Sequence, residues 1–406
     1  MSEIIGGERQ GILKSWVEIS KARLKENFRA IQSVAGAGVE VLAVVKANGY
    51  GHDAAICGPM LVAAKARWLG VSDVEEGAQL RERLGEGSTR VLVMCGMELS
   101  DAAAMAQYGL TPVVWTVEHV AAMEKAARAA GQRLPVHLEI DTGMSRQGVQ
   151  VGAELAAVAA RLAGSRWVYC EGVMSHLSSA EIAESKVTAS QLAKFVEAIA
   201  QVMAAGIQPE LLHLGNSSAV DEGSTMGWVR ETAKKIGAKA MVRTGLAVYG
   251  MCLPIENQDG KTVDSRKSLL SAKLKPAMTW KTQVIGLREI EKGTSVGYGA
   301  TFMAKGKMRI ALIPVGYADG FRRAASSGIS LVDSAGWVMI AGKKAKVVGR
   351  VSMNLTTVDV TGIDAVQVGS EVVLLGEGVT AEDHARWAGT IAYDIVCGVK
   401  GKFVAK

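Results

Sequence analysis

The stretch Val41–His52 reads VLAVVKANGYGH: five apolar residues, a lysine, then a glycine-punctuated turn. Strands buried on both faces are apolar throughout instead of alternating. Seven further runs of this kind follow in the first ~245 residues: RWLGVSD from Arg67, RVLVMC from Arg90, TPVVWT from Thr111, PVHLEID from Pro135, WVYCEGVMSH from Trp167, ELLHLGNS from Glu210 and AMVRTG from Ala240. Stretches with helical spacing separate them, among them VEEGAQLRERL, VEHVAAMEKAARAAG and ASQLAKFVEAIAQVMAAG. Eight strand–helix alternations predict an α/β fold with an N-terminal (β/α)8 TIM barrel; an open doubly wound sheet is the alternative.

After Tyr249 the texture changes. Strand-like runs with Gly turns take over: MTWKTQVIGLREI, MRIALIPVGYADG, GWVMIAGKKAKVVGRVSMNLTTVDVT and SEVVLLGEG. These predict a C-terminal, mainly β domain. We place the barrel at 14–250 and the second domain at 251–406, with residues 1–13 associated with it. The segment 254–268, PIENQDGKTVDSRKS, reads as an exposed insertion, and Thr380 with Asp383 as a capping box. GEGVTA, at 376–381, imitates a dinucleotide fingerprint, but too few residues follow it to complete the unit.

The chain has 406 residues, 49% of them hydrophobic and 21% charged, so it can bury two cores and is not disordered. No apolar run approaches the ~18–20 residues of a membrane span. The net charge of +6 is scattered, with Lys234–Lys235, Arg322–Arg323 and Lys343–Lys344 far apart, so no nucleic-acid surface is expected. Five widely spaced cysteines, no C-x-x-C and no apolar leader at the start point to a cytoplasmic protein without a disulfide framework or a metal site.

Active sites of such barrels gather where strands end. Here those ends carry Lys46, Arg146, His176, His213, Ser217, Arg243 and Gly245. Lys46 is the one charge in its apolar run. It is either a lysine that reaches solvent or a nucleophile for a carbonyl cofactor. Ser217 and Gly245, with backbone N–H groups beside them, suit a phosphate. Lysine plus phosphate cradle on a barrel suggests pyridoxal 5'-phosphate. Arg243, His176 and His213 each also fit structural roles in a barrel mouth.

Eight motifs in order, VVKANGYGH, HLEIDTGMSRQG, GVMSHLSSA, HLGNSSA, VRTGLAVYG, SVGYGATF, IPVGYADGF and GRVSMN, resemble those of the alanine racemases, pyridoxal-phosphate enzymes of fold type III. The resemblance runs from about Trp16 to Tyr393. It implies racemisation of L- and D-alanine by two bases, Lys46 and Tyr298, on opposite faces of the cofactor-bound substrate, supplying D-alanine for peptidoglycan. It implies that Lys46 carries the cofactor and that Tyr50, Asn216, Ser217, Gly245, Leu246 and Tyr393 surround its phosphate. Arg243, supported by His213, would face the pyridine nitrogen, and His176 would orient Tyr298. Arg146, the Met353 backbone and Tyr317 would hold the substrate carboxylate. Tyr298 and Met353 would enter from the partner in a homodimer with shared sites.

Two residues depart from the family's pattern. Glu139 stands where a lysine, often carbamylated, is usual, and we expect its carboxylate to pair with Arg146. Asn354 replaces an aspartate near the substrate entrance, which keeps a broader racemase acting on serine or lysine in play. A barrel decarboxylase and a non-catalytic cofactor carrier fit less well, because the former's cysteine motifs are absent and the latter lacks a β domain.

Overall fold

The structure is a computed structural model that describes residues 14–85, 87–262, 268–328 and 335–406. It divides into two compact units, Lys21–Ala277 and a second formed by Met278–Lys406 with the residues up to Ser20. The first unit is the expected barrel. Its strands are Glu40–Val44, Trp68–Val71, Arg90–Val93, Thr111–Val114, Leu134–Asp141, Val168–Met174, Leu211–His213 and Lys239–Thr244. All pair in parallel, and the eighth closes on the first through Val242↔Val41 and Arg243↔Leu42. Each of the eight apolar runs supplies one strand.

Burial on both faces explains those runs: Leu42 and Ala43 are both fully buried although they point to opposite sides. Leu42, Val44, Leu92, Met174 and Met241 pack together inside the barrel. The helices Val74–Leu84, Val117–Ala129 and Lys186–Ala204 fall on the three helical stretches, capped by Asp73, Thr116 and Ser185. No helix among the described residues is long and apolar enough to cross a membrane.

The boundaries differ from 14–250 and 251–406. Ser15–Ile19 is a strand of the second unit, antiparallel to Met278–Gln283 and parallel to Lys402–Ala405. Its burial alternates, with Val17 and Ile19 buried and Trp16 and Glu18 partly exposed. That period-2 pattern suits a sheet with one covered face, not a barrel strand buried on both. At the other end, 251–277 stays with the barrel. Asn27, fully buried, donates to Val248 O (3.2 Å) and Lys275 O (2.9 Å) and accepts from Lys275 N–H (2.9 Å). The expected insertion is partly tied down: Glu256 bridges Ile182 and Thr262, and Asp221 accepts from Ser268 Oγ (2.6 Å) and Leu270 N (2.7 Å). Its residues 263–267 lie outside the described set, as do residues 1–13.

The second unit is mainly β, as expected. A six-stranded sheet holds Ser15–Ile19, and a three-stranded sheet joins Gly286–Ile290, Met308–Ile313 and Thr356–Asp359. The capping box at Thr380 and Asp383 starts the helix Ala381–Ala388.

Asn27 is the polar clamp between the first barrel helix and the chain leaving the barrel. Asn27→Ala should lower the unfolding free energy by about 2–4 kcal/mol, because three backbone groups lose their partner in a buried site. Denaturant titration measures it, and a loss under ~0.5 kcal/mol would contradict the clamp.

Candidate active site

Lys46 follows the first barrel strand by two residues. The turn it opens is unusual: Ala47, Asn48, Gly49, Tyr50 and Gly51 all have positive φ, between 51° and 73°. A left-handed turn of this length costs conformational energy and needs fixing from outside. Glu76 supplies part of it, accepting from Asn48 N (3.3 Å), Ser72 N (2.9 Å) and Ser72 Oγ (2.6 Å). The Asn48 side chain accepts from Ala54 N (2.9 Å). Tyr249 Oη donates to Val44 O (3.0 Å), just ahead of the lysine. The Lys46 ammonium lies 3.9 Å from Cys95 Sγ, at the end of the third strand.

Across the mouth, Asn216 caps the helix Ser217–Glu222 by accepting from Ala219 N (3.0 Å). Ser217 Oγ accepts from Gly245 N (3.1 Å) and Ala247 N (3.3 Å), so its own proton is directed elsewhere. Gly245 has no room for a side chain: an added Cβ would sit 2.3 Å from Tyr50 Oη. Tyr50 from the left-handed turn thus packs on the Gly245 backbone beside Ser217 and Leu246. Hydroxyls and backbone N–H groups meet there with no carboxylate among them. That donor set fits a phosphate.

Arg243 ends the eighth strand and is only 4% exposed. Nη1 donates to His213 O (3.1 Å) and His213 Nδ1 (3.2 Å), and Nη2 to Ser175 O (2.7 Å) and His176 Nδ1 (3.1 Å). Burial lowers its pKa to about 10, with Glu139 opposing the shift and Arg146 adding to it, so it stays cationic at neutral pH. His176 falls to about 3 through burial and then the positive charges of Arg243, Arg146 and Lys46. It is therefore neutral. A guanidinium only donates, so His176 Nδ1 is the acceptor and its proton sits on Nε2.

Arg146 is exposed, on a loop that Asp141 organises by accepting from the N–H groups of Gly143 (2.9 Å), Met144 (3.0 Å) and Ser145 (3.0 Å). The expected Glu139–Arg146 pair is not formed. Glu139 is 2% exposed, inside the fifth strand, and accepts from the Gln147 side-chain amide. Burial raises its pKa against the pull of Gln147, Arg243 and Arg146. Gln147 also donates to Met94 O (2.9 Å), a role the sequence did not suggest.

The remaining expected residues lie in the second unit. Tyr298 opens a short turn and is 70% exposed; Met353 is 56% and Tyr317 44% exposed. Tyr317 N donates to Ser352 O (3.1 Å) and Ala318 N to Met353 O (3.0 Å), so those two segments lie side by side. Tyr393 sits on the helix Ala392–Cys397 and is partly buried.

The geometry thus joins a strand-end lysine, a phosphate-type cradle and a buried arginine at one barrel mouth. A family model described as "Alanine racemase, N-terminal domain" matches residues 19–252, and one described as "Alanine racemase, C-terminal domain" matches 277–405. The chain belongs to the alanine racemase family. It is accordingly an enzyme, an isomerase. It is 36% identical to the alanine racemase of Symbiobacterium thermophilum over 96% of each chain, and 34% to that of Syntrophobacter fumaroxidans over 95% of each. Among solved structures, alanine racemase from Streptomyces coelicolor A3(2) aligns with TM-score 0.82 and 32% identity, covering 96% of this chain and 98% of that one. The alanine racemase of Bartonella henselae, described with covalently bound pyridoxal phosphate, aligns with TM-score 0.79 and 26% identity over 97% and 99%.

Neutral buried histidines give the racemase a pH signature. Burial lowers His52 and His384 to about 4, alongside His176 at about 3. Below pH ~6.5 the unfolded chain binds protons that the folded chain refuses, so stability falls as pH drops. Each such histidine should cost about 2 kcal/mol between pH 7 and 5. Unfolding midpoints across that range test this, and a flat profile would contradict it.

Proposed function

We propose that the chain is a pyridoxal 5'-phosphate-dependent racemase that interconverts L- and D-alanine in the cytoplasm, supplying D-alanine for peptidoglycan. The observation that carries the reading is the convergence of Lys46, the Tyr50–Ser217–Gly245 cradle and the buried Arg243 at one mouth. The cofactor of the Bartonella henselae relative supports the same assignment.

Pyridoxal phosphate, when bound, supplies the electron-withdrawing ring that makes the substrate's Cα–H acidic. Lys46 would hold it covalently. Tyr50, Ser217, Leu246 and Tyr393 would surround the phosphate beside Gly245, whose N–H orients Ser217, with Asn216 fixing the helix end. Arg243, cationic, would face the pyridine nitrogen and disfavour a proton there. That weakens the electron sink and limits transamination.

Racemisation needs a proton taken from one face of Cα and returned to the other. The Lys46 amine would serve one face, and Tyr298 the other. A phenol is a poor base in neutral water, so it needs a donor to hold its oxygen. His176, with its proton on Nε2, is that donor. Arg146, the Met353 backbone and Tyr317 hold the substrate carboxylate. Tyr298, Met353 and Tyr317 form an exposed surface of the second unit, and we assign them to the partner's site in a homodimer. Asn354, exposed beside Met353, favours a second reading with wider substrate choice.

The test is deuterium uptake at Cα in heavy water across a panel of L- and D-amino acids. Alanine should exchange and racemise fastest; equal rates on serine or lysine would replace the narrow reading with the broader one. Lys46→Ala should abolish both racemisation and the absorbance of lysine-bound cofactor. Tyr298→Phe should slow Cα exchange by about 10²–10⁴-fold for one enantiomer and much less for the other. Equal mild losses for both would rule out the two-base scheme.

A further inference from the structure

The strands that carry His137 and Glu171 hold polar groups that no step above uses. His137 is fully buried, and its Nδ1 lies 2.9 Å from His213 Nε2. His137 Nε2 lies 3.2 Å from Glu171 Oε2, and Glu171 receives two hydrogen bonds of 2.8 Å from Arg90. Arg243, His213, His137, Glu171 and Arg90 therefore form one connected chain through the barrel interior. Arg243 ends the eighth strand at the catalytic mouth. Arg90 begins the third strand at the opposite end, where it and Glu171 line a cavity of about 430 Å³ with Glu40, Arg67, Glu210 and Lys239.

The direction of every hydrogen bond in the chain is forced. Arg243 can only donate, so His213 Nδ1 accepts and its proton sits on Nε2. That proton points at His137 Nδ1, which must accept, so the His137 proton sits on Nε2 and is given to Glu171. Glu171, accepting from Arg90 as well, ends the chain as a carboxylate. Burial lowers the pKa of both histidines, and they are neutral; burial would raise that of Glu171, but His137 and Arg90 pull it below the ordinary range.

The barrel makes room for this chain. The ladder between the fifth and sixth strands is irregular at Val136/His137, and Gly172 lies opposite His137. A Cβ at Gly172 would come within 2.9 Å of His137 Nδ1. A bulge that re-aims a side chain beside a functional site is a built feature, not an accident of packing.

We propose that Glu171, His137 and Arg90 are positioning residues for the reaction: from the far end of the barrel they secure the His213 tautomer that Arg243 requires, and through it hold Arg243 in place. Without an acceptor at 171, His137 gains by moving its proton to Nδ1. That sets two N–H groups face to face and pushes the His213 proton towards Arg243, donor against donor. The catalytic consequence rests on Arg243 facing the cofactor; the tautomer chain itself does not.

Two readouts keep these apart. In the cofactor-free full chain, side-chain ¹⁵N NMR should find the proton of both His137 and His213 on Nε2. Glu171→Leu should shift the ring nitrogens of His213, two hydrogen bonds away, whereas Glu171→Gln, whose carbonyl still accepts, should not. Gly172→Ala, which leaves the Arg90–Glu171 pair intact and presses on His137, should shift them too and serves if the leucine variant does not fold. In the cofactor-loaded enzyme, Glu171→Leu should lower kcat by about 10–100-fold, the size of loss seen when the partner behind a metal-bound histidine is removed. KM should stay within about twofold, and Glu171→Gln should recover most of the loss. Unaltered His213 nitrogens in both disrupting variants, or altered nitrogens with unchanged kcat, would overturn the proposal. A wild-type enzyme without racemase activity would overturn the functional reading instead, while the nitrogen shifts would still report on the chain.

Discussion

A guanidinium buried in a barrel mouth sets the terms for its neighbours. Arg243 keeps its charge at 4% exposure because five acceptors surround it: Ser175 O, His213 O, Leu214 O and one ring nitrogen each of His176 and His213. An uncompensated charge there would be prohibitive. Since the group has no acceptor of its own, it imposes a proton position on both imidazoles. Those histidines stay neutral, and the site holds its positive charge on arginine and lysine. The strand ends that supply the acceptors are themselves fixed by parallel pairing, so the barrel and the electrostatics of its mouth are one construction.

This explains how residues distant in sequence act together. Arg146, Lys46 and Arg243 bring cationic side chains to one rim where the cradle offers only N–H and O–H groups. An anionic ligand meets attraction at both ends, at the cradle and at the loop organised by Asp141. The left-handed turn after Lys46 carries a conformational cost. It is secured by Glu76, which has no part in the chemistry but determines where Lys46 and Tyr50 emerge.

The barrel was legible because burial on both faces writes itself as continuous apolar runs, and all eight became strands. The polar residues at the barrel mouth were legible because a polar group at the end of such a run stands out, as Lys46 and Arg243 do. The same signal was present in His137 and Glu171, within PVHLEID and WVYCEGVMSH, but inward orientation and ring-to-ring contact depend on a ladder irregularity that spacing does not reveal. Ser15–Ile19 was assigned to the wrong unit because its alternation is too short to outweigh its place ahead of the barrel. Glu139 was matched with Arg146 because it stands where the family's carbamylated lysine would supply an anion. Eight residues of sequence separate it from Gln147, whose amide reaches it, while Arg146 next door faces solvent.

A charged arginine against the cofactor's ring nitrogen should keep it unprotonated, which suits racemisation over transamination. The most direct measurement is ¹⁵N NMR of the full-length enzyme reconstituted with pyridoxal phosphate labelled at its ring nitrogen. We expect the shift of an unprotonated pyridine that accepts a hydrogen bond, constant across neutral pH. The shift of a protonated pyridinium would contradict the account.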